Sequence, residues 1–145
     1  LDEYAIAALR AEPVDSYGVG TSVVTGSGAP TAGMVYKLVE VDGRPVAKRS
    51  AAKESRGGRK SAIRRHKPTG TAIEEVVFPV TAPPEAGPHD RVVQIPLMRG
   101  GDRVADLPTL EQSREYLRAA LVSVPWEGLK LSRGEPALPT VFDGV

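Results

Sequence analysis

The sequence contains no cysteine, which excludes a disulfide framework and any thiolate-ligated metal. Long apolar runs are missing as well. No stretch approaches the ~18 apolar residues that a membrane-spanning helix requires, and the N-terminus lacks the basic-then-apolar order of a secretory signal. A cytoplasmic protein without membrane attachment is the expectation. The two histidines, His66 and His89, have no metal-ligand spacing with each other or with carboxylates, so both are read as surface residues in loops, and no metal site is expected. No serine stands in a recognisable arrangement with histidine and an acid, which leaves nucleophilic catalysis without support.

A chain of 145 residues that is 41% hydrophobic and 26% charged is a globular mixture of ordinary domain size. It begins with Leu1 and runs directly into the helix-like "LDEYAIAALRAEP", which suggests part of a longer protein. The net charge of +1 conceals a strong asymmetry. Ten Lys and Arg residues lie between Arg44 and Lys67 against one acid, Glu54, for a local balance of +9 and −8 elsewhere. Such clustering faces phosphate in some form, or else stays as a solvated basic surface. Single-stranded nucleic-acid readers interleave aromatic rings with charge so that bases can stack. No Phe, Tyr or Trp occurs between Arg44 and Lys67. Ser50, Ser55 and the Gly57-Gly58 pair instead suit a mobile loop that folds over phosphate oxygens.

The local patterns are mixed α and β. Ala5, Ile6, Ala8 and Leu9 predict a short helix over 2–11, which Pro13 ends. "MVYKLVEV" (34–41) and "RPVAKRS" (44–50) flank Asp42-Gly43, the strongest short-range hairpin signal in the chain, because a type I′ turn needs positive φ at both central residues. "TAIEEVVF" (71–78) and "RVVQIPLM" (91–98) read as further strands, with a turn at Gly100-Gly101-Asp102 and with Pro45 and Pro96 marking edges. Glu74 and Glu75, adjacent in a strand, point to opposite faces and form no carboxylate pair. "PVTAPPEAGPHD" (79–90), with four prolines, is a linker between residues 1–78 and 91–145. Thr109 with Gln112 matches a capping box ahead of Leu110, Leu117, Leu121 and Val124, one amphipathic helix that closes the fold, its leucines and Trp126 taken as core. The tail 126–145 is expected as coil.

"SYGVGTSVV" (16–24) places two glycines and two hydroxyl residues before an apolar β-branched pair. It is neither a full Gly-x-Gly-x-x-Gly fingerprint, since Val23 stands at the third glycine, nor a P-loop. Glycines let successive N–H groups converge on an anion, and the Thr21 hydroxyl adds a donor. A plain turn is the competing reading.

Taken jointly, "YGVGTSVVT", "GMVYKLVEVDGRPVAKRS" and "KESRGGRKSAIRR" resemble the C-terminal third of the nicotinate phosphoribosyltransferases, well over Leu1 to about Val77 and loosely beyond. The resemblance implies the end of a type II phosphoribosyltransferase barrel, followed by β-hairpins and a C-terminal helix. It also implies formation of nicotinate mononucleotide from nicotinate and phosphoribosyl pyrophosphate, with ATP and Mg2+, by a homodimer. Carried over residue by residue, Gly18, Gly20 and Thr21 would hold the 5′-phosphate. Lys37 would reach the phosphoribosyl or pyrophosphate group from its strand, and Lys48, Ser50 and Lys53 would supply charge near the departing pyrophosphate. Neither histidine matches the family's phosphorylated histidine, so no catalytic residue is assigned. The family commonly has Pro-Gly where this chain has Gly57-Gly58, and a more flexible loop is expected there. A non-enzymatic basic module binding RNA or another polyanion through Arg44 to Lys67 is the alternative.

Overall fold

A computed structural model of the chain describes residues 1–22, 35–49, 55–104, 107–131 and 134–145. They fall into two compact units, Leu1–Lys37 with Leu131–Arg133, and Leu38–Lys130 with Gly134–Val145. The first contains helix α1, Glu3–Ala8, whose N-cap Asp2 accepts a 2.8 Å hydrogen bond from the Ala5 N–H and satisfies one of the free donors of the first turn. The expected helix over 2–11 is therefore shorter, ending at its C-cap Leu9 ahead of Pro13.

The second unit is mixed α and β. Strands β1 (Glu40–Val41) and β2 (Arg44–Pro45) form the hairpin around Asp42-Gly43, with φ of 47° and 74° at those two residues, as a type I′ turn demands. The centre of the unit is a four-stranded sheet in the order β5-β3-β4-β8, with β3 at Lys60–His66, β4 at Ala72–Pro79, β5 at Arg91–Val92 and β8 at Thr140–Phe142. Strands β3 and β4 are antiparallel, their register setting Ser61 opposite Phe78, Ile63 opposite Val76 and Arg65 opposite Glu74. Side chains alternate along a strand, so one face carries Ile63, Val76 and Phe78, exposed by only 5%, 3% and 6%. The other face carries Arg64 opposite Glu75. Glu74 and Glu75 thus do lie on opposite faces, each beside its own arginine.

Three expectations are corrected here. The segment 60–66, read as part of a mobile basic loop, is a central strand, because its Lys-Ser-Ala-Ile-Arg-Arg-His alternation matches the charge and apolar pattern of β4 across the Lys67–Thr71 turn. The strand expected over 91–98 is split. Only Arg91 and Val92 join the sheet, and β6 (Met98–Arg99) turns through Gly100 and Gly101, at φ 60° and 93°, into β7 (Asp102–Arg103). The tail is not all coil: a 3₁₀ turn spans Trp126–Leu129, and β8 adds in parallel to β4 through bonds such as Glu75 N–H to Pro139 O at 2.9 Å.

Helix α2, Leu110–Ser123, opens with the expected capping box: the Gln112 N–H donates to Thr109 Oγ1 at 3.2 Å, and the Thr109 N–H to Gln112 Oε1 at 2.8 Å. The helix buries none of its residues, and Leu110, Leu117, Leu121 and Trp126 are exposed, not core. Among the described residues no helix is long and apolar enough to cross a membrane.

Candidate phosphate-binding segments

Gly18 and Gly20 lie in an irregular, exposed stretch that leads into a helical turn beginning at Thr21 and Ser22. Neither glycine takes a left-handed φ, and a Cβ added at either would meet nothing within 4 Å. Nothing internal to the described chain therefore demands glycine at these two positions. A bare backbone there leaves room for a close approach from outside.

Lys37 belongs to the same unit as the glycines and is exposed, but it is not on a strand. Pairing of the first hairpin ends at Val39, whose carbonyl accepts both the Val46 N–H at 2.9 Å and the Gly58 N–H at 2.7 Å. Beyond Val39 the preceding residues have no described partner strand, so the expected strand over 34–41 shrinks to Glu40–Val41. Lys48 is exposed in an irregular segment of the second unit. Ser50 and Lys53 lie outside the described residues. Lys37 and Lys48 make no ion pair among the described residues.

The basic run divides into two groups. Four of its cations serve the fold. Lys60 Nζ donates to the carbonyls of Arg56, Gly57 and Gly58 at 2.6, 2.7 and 2.8 Å. Its three ammonium protons thus have acceptors within one tight bend. Both glycines of that bend are required: a Cβ on Gly57 would sit 2.9 Å from Val46 O, and Gly58 has φ +84°. The flexible Gly57-Gly58 loop expected from the sequence is instead tied down from several sides. Arg56 stacks over the Phe142 ring at 4.2 Å and donates to Val145 O at 2.9 Å, which fastens the chain end to the bend. Arg64 pairs with Glu75 across the strands, and Arg65 Nε stands 3.5 Å from Glu74 Oε1. The remaining described cations of the run, Arg44, Lys48, Arg49, Arg59 and Lys67, are exposed.

His66 was expected in a loop. It is the last residue of β3, half-buried beside a register shift, and it lines a cavity with His89 and Arg91. The available signal was the order Arg-Arg, short turn, Glu-Glu around "KPTGT", which pairs two strands by charge and puts the histidine at a strand end. Among the described residues no group of three or more His, Asp or Glu is placed to hold a metal ion.

No family model matches the chain. Comparison with curated proteins is decisive: nicotinate phosphoribosyltransferase pncB1 of Mycobacterium tuberculosis is 61% identical over 140 residues, 97% of this chain. The chain belongs to the nicotinate phosphoribosyltransferase family. The pncB2 protein of the same organism is 37% identical over 88% of the chain, and the human nicotinate phosphoribosyltransferase 33% identical over 83%. The chain spans 31% of the length of the first of these relatives and 27% of the other two.

Proposed function

We propose that this chain is the C-terminal portion of a cytoplasmic nicotinate phosphoribosyltransferase, which transfers phosphoribosyl from phosphoribosyl pyrophosphate to the ring nitrogen of nicotinate, releasing pyrophosphate, with ATP hydrolysis. The observation that carries the reading is 61% identity across 97% of the chain to a protein of that name. In this proposal the chain ends a type II barrel and works within a homodimer. Gly18, Gly20 and Thr21 receive the 5′-phosphate on backbone and hydroxyl donors, as late loops of barrel folds do. Among the described residues nothing requires glycine at 18 and 20, which supports this role. Lys37 reaches the phosphoribosyl or pyrophosphate group. Lys48, Ser50 and Lys53 surround the departing pyrophosphate, where fixed cations stabilise the charge that develops as the glycosidic bond breaks. Magnesium is assigned to no residue of this chain, and no step is derived through it.

The polyanion-binding alternative is disfavoured by the bonding of the basic run. Arg56, Lys60, Arg64 and Arg65 are engaged by carbonyls, a ring and carboxylates of the fold, which leaves fewer cations of the +9 segment unpaired for a polyanion. The test is steady-state kinetics of the complete enzyme carrying Lys48→Ala and Lys53→Ala. Weaker use of phosphoribosyl pyrophosphate with nicotinate affinity nearly intact is expected. Kinetics indistinguishable from wild type would remove both lysines from the site.

A further inference from the structure

The half of the sheet that the proposed function leaves unused holds a cavity of about 270 Å³, lined by His66, His89, Arg91, Tyr116 and Ser123 among others. Its electrostatics are unbalanced. Arg91 on β5 stands directly opposite Arg64 on β3, and like charges at opposed positions repel. Glu75 on β4 pairs with Arg64 and offsets one of the two charges. Asp90, next in sequence to Arg91, is occupied in a turn, accepting the Gly87 N–H at 2.9 Å. No carboxylate lines the cavity among the described residues.

Two side-chain nitrogens here, His66 Nδ1 and Arg91 Nε, are buried without a hydrogen-bond partner. Buried polar atoms are nearly always satisfied, and of these two the Arg91 Nε–H, which can only donate, belongs to a residue lining the cavity and lacks an acceptor within the described chain. The Arg91 guanidinium lies 5.2 Å from the centroid of Tyr116, which holds it from the helix side. Helix α2 turns Tyr116, Ala119, Ala120 and Ser123 to the cavity, a spacing that forms one helical face of mostly small side chains. The Ser123 hydroxyl is already donated to Ala120 O at 2.7 Å, so the donors left are those of Arg91, His66, His89 and Tyr116. Arg91 and Tyr116 are shared with an adjoining groove of about 650 Å³ walled by Val92, Val93, Ile95 and Pro108.

We propose that this cavity binds the phosphate of a small phosphorylated metabolite, whose uncharged body lies along the adjoining apolar groove. Cationic and neutral donors converge without an opposing carboxylate, which is the chemistry of a compact oxyanion, and Arg91 supplies the planar fork that matches phosphate oxygens. None of the described residues assigned to phosphoribosyl pyrophosphate lines the cavity or the groove.

The experiment is equilibrium binding of inorganic phosphate, AMP and acetate to the full-length enzyme, expressed as ligands per chain. Nicotinate mononucleotide formation is followed on the same preparations, so that failure of the catalytic assignment reads out separately. Wild type should hold one more phosphate per chain than Arg91→Leu, and His89→Asn, at an exposed loop position, should weaken that phosphate by about 10-fold or more, as loss of a hydrogen bond to a charged group implies. AMP should displace it and bind tighter than phosphate, acetate should not compete, and turnover should stay near wild type in both variants. Should Arg91→Leu fail to fold, His89→Asn decides alone. Phosphate binding unchanged by these substitutions would overturn the site, displacement by acetate would overturn its phosphate character, and AMP binding no tighter than phosphate would remove the groove from it.

Discussion

At the scale of single residues, the chain separates glycines that the fold needs from glycines that it does not. Gly57 touches the Val46 backbone so closely that Gly57→Ala must push the two backbone segments apart, at a cost of about 1–3 kcal/mol typical of overpacking. Thermal unfolding of the complete enzyme should register this as a lower Tm, with Lys60→Met giving a loss of similar size by leaving three carbonyls without their shared donor. Gly18→Ala meets no atoms of the described residues, so stability should be unchanged while phosphoribosyl pyrophosphate use falls. Thr21→Ala should likewise weaken that substrate, by about 1.5–3 kcal/mol if a charge-assisted hydrogen bond is removed. Equal loss of nicotinate affinity in either variant would contradict a phosphate-specific role.

Among the elements, the ones whose signal is local were legible in the sequence. Asp42-Gly43 needs only its own φ angles, and the Thr109–Gln112 box only its own first turn. Strand β3 was hidden because charge dominated its composition: Arg64 and Arg65 look like loop cations until Glu75 and Glu74 are set opposite them by the turn. Strand β8 has three residues and a parallel partner some sixty positions earlier, which no period within 126–145 could reveal. Gly18 and Gly20 lie in an irregular stretch and form no regular turn, and the strand expected for Lys37 is absent, since its pairing stops at Val39. The cross-strand pairs are partly exposed, so Arg64→Ala should cost less than a buried ion pair, about 1 kcal/mol or less for the pairing itself. Because so much of the basic run is engaged, RNA binding should be weak, indifferent to sequence and lost near physiological salt. In a filter-binding titration each exposed cation removed, Arg44, Lys48 or Arg49, should flatten the log–log salt slope by only about 0.7. Tight, sequence-selective binding at physiological salt would revive the polyanion module.

For the whole molecule, the central fact is how little the described chain buries. Among the described residues Ile63, Val76 and Phe78 form the one cluster of buried side chains, while the Leu110, Leu117 and Leu121 stripe of α2 faces away from the cavity side of the helix and stays exposed. In the proposed enzyme that stripe is covered by the remainder of the protein, and Leu117→Ala with Leu121→Ala should each destabilise it by roughly 2–5 kcal/mol, the range for truncating a buried leucine. Unfolding of the complete enzyme in urea measures this, and losses within about 0.5 kcal/mol would mean that the stripe stays in solvent. The central claim, that these residues are a working part of a nicotinate phosphoribosyltransferase, is tested most directly by exchange. Put in place of the matching segment of the Mycobacterium tuberculosis pncB1 protein, this chain should yield a hybrid that forms nicotinate mononucleotide from nicotinate, phosphoribosyl pyrophosphate and ATP. That activity should depend on Thr21 and Lys48, whereas the isolated chain should form no product. A folded hybrid without activity, or an isolated chain that turns over at ordinary enzyme rates, would contradict the account.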